Sequence, residues 1–235
     1  MKRNKSFRLS NKNTIEAHKV RIAYHEAGHA IAIMLNNKDT QLPPLFFRIN
    51  IHDAAHAPLS ETETPPLMEN YYSAEIEGGR FIEHLPDALN TFLNDLDQGK
   101  PHYAFFNALM ADMLNLIIGP LAEAKHVAMN DGEVFNNQLI SLDALHNYGG
   151  SADLKLLYAY LDCLADSRLD QDQLLTDLLI QAFDFISNVS HWSKITLLAR
   201  HIVDQKTTTI DYNEITSLLS QPQDTLVAEQ FPLNK

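Results

Sequence analysis

One ten-residue stretch constrains this chain more than any other: Ala23-Tyr24-His25-Glu26-Ala27-Gly28-His29-Ala30-Ile31-Ala32. His25 and His29 are four positions apart, with Glu26 directly after the first histidine. On an α-helix, residues i and i+4 lie on one face, one turn apart. Two imidazoles placed that way can grip one zinc ion, each at about 2.0–2.1 Å from the metal. Glu26 then turns toward the same side and can take a proton from a zinc-bound water. The stretch therefore asks for a helix, and it asks for a partner. Catalytic zinc takes three protein ligands and leaves its fourth position open.

The third ligand must be a histidine or a carboxylate. Cys163 is the only cysteine in the 235 residues, so it can neither form an intrachain disulfide nor build a thiolate site. Asp153 stands in the first turn of an expected helix, just after Gly149-Gly150; Glu123 follows Pro120 on another; His52 and His56 repeat the four-residue spacing. His52 and His56 come after an expected strand and before Pro58, which argues against a helical grip. Periodicity does not choose between Asp153 and Glu123. His102, His126, His146, Tyr148 and His191 are further candidates, as hydrogen-bond donors to a reacting carbonyl.

Periodicity predicts a mainly α fold with a small antiparallel β element. Asn13 and Glu16 read as an N-cap and its reciprocal carboxylate for the histidine helix, which ends near Asn36-Asn37. Leu45–Ile51 and Tyr71–Ile76 alternate as strands, and residues 81–97 carry a helical pattern. A long helix from Tyr103 is expected to kink or restart at Gly119-Pro120, because proline lacks the next helical donor. Further helices are expected after Ser151 as a cap, over about 170–188 and 192–204, and over about 211–220, where Asp211 and Glu214 form a capping box. Gly28, inside the first helix, marks close helix packing, room beside a metal, or both together. The division is a basic tail over 1–13, a domain over 14–220 with a loop-rich insertion at about 52–100, and a tail over 221–235.

Net charge is −12, which speaks against a nucleic-acid partner, since phosphate binding needs a basic face. The first twelve residues run the other way, with five basic residues and no acid, but no apolar signal core follows them. No unbroken apolar run reaches the roughly 18–20 residues that span a bilayer. A soluble, cytoplasmic protein with no membrane span is the expectation.

Three stretches carry a family resemblance. Ala23-Tyr24-His25-Glu26-Ala27-Gly28-His29-Ala30 resembles the metal-binding helix of the FtsH family of ATP-dependent zinc proteases. Leu116-Ile117-Ile118-Gly119-Pro120-Leu121-Ala122-Glu123-Ala124 is similar to its Gly-Gly-Arg-Ala-Ala-Glu-Glu helix. Gly150-Ser151-Ala152-Asp153-Leu154 resembles the segment that holds the family's third zinc ligand. The resemblance spans roughly 14–220. It implies a helical zinc-metallopeptidase domain with His25, His29 and Asp153 on Zn2+, Glu26 as general base and Glu123 as a supporting acid.

Pro120 and Leu121 depart from the family pattern, and the stretch between His29 and Asp153 is longer than usual. No Gly-x-x-x-x-Gly-Lys-Ser/Thr loop is present. The resemblance therefore implies a peptidase domain standing alone, cleaving peptides or unfolded protein without its own motor. A separate ATPase or further copies of the chain are the implied partners. The alternative is a regulatory protein-binding module that keeps the peptidase fold.

Overall fold

A computed structural model describes residues 12–39, 42–53, 72–83, 103–138, 140–164 and 168–220. The fold is mainly helical with a small three-stranded antiparallel sheet. In chain order the described elements are α1 (Lys12–Asp39), β1 (Phe47–Asp53), β2 (Tyr72–Gly78), α2 (Tyr103–Asp131), a short 3-10 helix (Asp143–Tyr148), α3 (Ser151–Leu164), α4 (Arg168–Ser187), α5 (Val189–Asp204), β3 (Thr209–Asp211) and α6 (Tyr212–Leu219).

Two helices form the centre. From His25 to Ile33 every residue of α1 is buried, and so is every residue of α2 from Asn115 to Ala124. A helix enclosed on all sides cannot be amphipathic, and its small residues decide how closely a neighbour approaches. Ala23, Ala27, Gly28, Ala30 and Ala32 serve that purpose on α1. At Gly28 a Cβ would stand 2.8 Å from the Ala122 Cβ and 3.0 Å from the Ile118 carbonyl oxygen. Gly28 is thus a point of close helix packing, the first of its two expected roles.

The sheet order is β2-β1-β3, and Ile49 of β1 lies opposite Ile76 on one side and Ile210 on the other. Phe47, Ile49 and Ile51 are buried in alternation, as are Tyr72, Ala74 and Ile76, which is the period-two pattern expected of half-buried strands. β3, at Thr209–Asp211, has no signature in the sequence, because three residues are too few to show alternation. Asp112 of α2 accepts hydrogen bonds from the Phe81 and Ile82 amides, and Tyr160 donates to the Ile82 carbonyl. These contacts fasten the end of the β2 segment to the helices, so Phe81 to Glu83 are not the helix start that the periodicity suggested. The rest of that expected helix, His56 and most of the 52–100 insertion lie outside the described residues, as do His102, residues 1–11 and the 221–235 tail.

Helix boundaries differ from the sequence expectation at several points: α5 begins at Val189, capped by Asn188, rather than near 192, and Ser151 is the first residue of α3 rather than its cap. α1 begins at Lys12, so Asn13 sits inside it rather than capping it, and it runs on to Asp39. Asn36 and Asn37 do not stop the helix because both are buried, and Asn36 donates to the Asn115 side chain at 2.9 Å. α2 passes through Pro120 without a restart. The penalty of an interior proline falls on one donor and one carbonyl, and packing on every side outweighs it. α2 also has the length and apolarity to cross a membrane, although most of its apolar window is buried within the protein.

At α6 the Asp211 side chain accepts from the Glu214 amide, which is half of the expected capping box. The Glu214 carboxylate is instead 2.7 Å from the His201 Nε2 and accepts from Gln205, tying α6 to α5.

Candidate metal centre

α1 presents His25 and His29 one turn apart, and the rings converge: their Nε2 atoms are 3.1 Å apart. Asp153 arrives from the first turn of α3. Its Oδ2 lies 3.3 Å from the His25 Nε2 and its Oδ1 3.5 Å from the His29 Nε2. None of the three side chains is more than 1% exposed. Among the described residues these three make up a group that could hold a metal ion.

The outer side of each ring explains why the Nε2 atoms face inward. The His29 Nδ1 donates to the Asn115 carbonyl at 2.8 Å. The His25 Nδ1 donates to the Tyr148 carbonyl at 3.1 Å and lies 3.3 Å from the Glu123 Oε2. A neutral imidazole that donates through Nδ1 has its lone pair on Nε2. Two such lone pairs and a carboxylate then meet in one buried spot, and both Asp153 oxygens are buried with no hydrogen-bond partner. Two imidazole lone pairs and one carboxylate converging in this way could hold a cation. The spacing suits one: a tetrahedral ion bonded at about 2.0–2.1 Å has its ligand atoms about 3.3–3.4 Å apart.

Electrostatics agree with the geometry. Burial pushes the His25 pKa down, but Asp153 and Glu123 facing its two nitrogens outweigh that and raise it to about 10. Burial pushes Asp153 up, yet the two histidines, His29 foremost, hold its carboxyl well below the usual carboxylate range. For His29 burial prevails and its pKa is lowered, despite the pull of Asp153. The pocket of side chains therefore favours one positive charge within it.

Glu123 stands on the far side of His25 from the converging atoms. One oxygen faces the His25 Nδ1, and the other accepts from the Arg21 Nε at 3.0 Å. It orients the ring; it does not join the three-residue group. Glu26, next to His25 on α1, is fully buried and adds to the negative field at His25. Of the other histidines, His52 is exposed on β1. His126 stacks on Tyr24 with ring centroids 4.0 Å apart, His191 lies against Phe185, and His146 pairs with Ser151 at 3.2 Å. Tyr148 contributes its backbone carbonyl rather than its hydroxyl.

Sequence reasoning missed Arg21, Asn115 and Gly119. Backbone acceptors such as the Asn115 carbonyl leave no trace in side-chain identity. Gly119 did leave one, as a glycine in the middle of a helix. A Cβ there would fall on the His29 imidazole ring. Gly119→Ala is accordingly expected to displace His29, lower the unfolding temperature and weaken metal binding. In a His29→Ala background the same change should cost far less, giving a coupling above about 1 kcal/mol in thermal unfolding of the four proteins.

No family model, curated protein or solved structure matches this chain.

Proposed function

We propose that this protein is a zinc-dependent peptidase whose centre is His25, His29 and Asp153, with Glu26 as general base. The observation that carries the reading is the buried convergence of two Nε2 atoms and one carboxylate at tetrahedral spacing, directly beside a buried glutamate on the same helix. Nitrogen ligands with one carboxylate suit zinc better than calcium or magnesium, which prefer all-oxygen sites. Zinc bound there would supply Lewis acidity toward a scissile carbonyl and would lower the pKa of a water toward about 7.

The chain's own residues supply the rest. His25 and His29 would hold zinc through Nε2, with Nδ1 engaged by the Tyr148 carbonyl and Glu123 in one ring and by the Asn115 carbonyl in the other. Glu26 takes the proton of the attacking water and passes it to the leaving amine, as a general base that becomes a general acid. Substrates are flexible peptides or unfolded segments. A partner ATPase and further copies of the chain are the partners that go with this reading.

A second reading has one observation in its favour. His25, Glu26, His29 and Asp153 are all at most 1% exposed, so a peptide reaches them only when what covers them moves. That favours a protein-binding module that retains the peptidase fold and its metal. Elemental analysis and a casein or quenched-peptide assay separate the readings. We expect one zinc per chain and cleavage that a chelator removes and added zinc restores. Zinc without turnover supports the module, and absence of zinc from protein purified without chelator removes the metal from both.

A further inference from the structure

We propose that Pro120 is a positioning residue that, together with Gly119, fixes the span between the histidine pair and Asp153. This rests on the metal-centre reading and adds a device to it. Gly119 and Pro120 are consecutive on α2, and each touches a different arm of the centre. Gly119 has no side chain because the His29 ring occupies the place a Cβ would take. Pro120 packs on the opposite arm. A Cβ on Gly150 would stand 2.9 Å from the Pro120 Cβ and 3.1 Å from its Cγ, so the pyrrolidine ring lies directly against that glycine backbone.

Gly150 is the start of the arm that carries Asp153. Its carbonyl accepts from the Leu154 amide at 2.8 Å, the first backbone bond of α3, and its own amide donates to the Leu145 carbonyl at 3.1 Å. Gly149 before it takes a left-handed conformation, φ 77°, closing the 3-10 helix that presents the Tyr148 carbonyl to His25. One rigid ring thus bears on the turn that sets both the Asp153 carboxylate and an acceptor for His25. The spacing of 3.1–3.5 Å among the ligand atoms is then a property of α2, imposed before any metal arrives. An interior proline costs a helix about 3 kcal/mol relative to alanine, which is a strange residue to place in a central helix unless its ring has work elsewhere.

That cost makes the idea testable, because structure and metal should respond differently. Pro120→Ala restores a helical donor while removing buried ring atoms, and these two effects oppose each other. In the metal-stripped full chain, thermal unfolding is therefore expected within a few degrees of wild type. Zn(II) titration of the same protein should show affinity reduced about 10- to 100-fold, the range seen when residues behind metal ligands are changed. Co(II) substitution should give weaker, shifted d–d bands as Asp153 loses its fixed place. Pro120→Gly, which removes the whole ring, should weaken Zn(II) binding further.

Equal Zn(II) affinity and an unchanged Co(II) spectrum in Pro120→Ala would overturn the positioning role while leaving the metal centre intact. So would a loss of affinity that merely tracks a large loss of apo stability in both variants. A wild-type chain that takes up neither Zn(II) nor Co(II) overturns the metal centre itself, and that result is read in the same titration before any variant is compared.

Discussion

A zinc-loaded Glu26→Gln protein is expected to keep one zinc per chain and to lose peptide cleavage by about 10²- to 10⁴-fold, the contribution of a positioned general base. Glutamine has the size and shape of glutamate, so the fully buried position beside His25 stays filled. It cannot accept a proton from water at neutral pH, and that is the property the proposed reaction needs. Three measurements on one sample decide the matter: metal content, unfolding temperature, and turnover of a quenched peptide at saturating substrate. Metal and folding should match wild type while turnover collapses. Cleavage at wild-type rate by a metal-loaded variant would show that the proton goes elsewhere.

Asp153→Asn is expected to have the largest effect on the metal. The substitution keeps the volume but removes the charge that both histidines face at 3.3 and 3.5 Å. Zinc affinity should fall by more than the roughly 10- to 100-fold loss typical of residues behind the ligands, because this one is in the group itself. Glu123→Gln, which only supports His25, should stay within that range.

The same variant reads out the electrostatics of metal-stripped protein. The Asp153 pKa is depressed in the folded chain by its histidine neighbours, so ionised Asp153 favours folding above its unfolded value near 4, and this is lost as pH falls through the folded value. The His25 pKa is raised to about 10, so protonated His25 favours folding fully below about 6.5 and loses that contribution as pH rises toward 10. Both contributions are complete between about pH 4 and 6.5. Breaking a buried pair by removing one partner costs about 3–5 kcal/mol. The gap in stability between metal-stripped wild type and Asp153→Asn should be widest in that window and narrow on the alkaline side. A gap that instead widens from pH 7 to 9 would contradict the assignment of a protonated His25.

Much of the architecture was legible because helical periodicity and capping residues act over a few positions. The Asp211 cap of α6 depends on neighbours within one turn, and α3 begins within one residue of the expected cap Ser151. Boundaries went astray where distant packing took over. Asn36 and Asn37, stop signals in isolation, are core residues because α2 offers Asn36 a partner. Pro120 did not break its helix because the neighbours enclose it. β3 was invisible because its partner β1 lies far away in the chain and only three residues pair.

The candidate centre divides in the same way. The sequence by itself determined the His25-Glu26-x-x-His29 helix, since one turn of helix places two imidazoles together whatever surrounds them. It also offered Asp153 and Glu123 without choosing by geometry; the choice there came through resemblance. Only the tertiary structure decided that Asp153 faces both Nε2 atoms while Glu123 sits behind His25 and bonds Arg21. Only it decided which nitrogen of each ring points inward, through carbonyls of Tyr148 and Asn115 that are 123 and 86 positions from their histidines. The physical reason is range. A helix turn is written in adjacent residues, whereas a lone pair is aimed by whatever the fold brings to the other side of the ring.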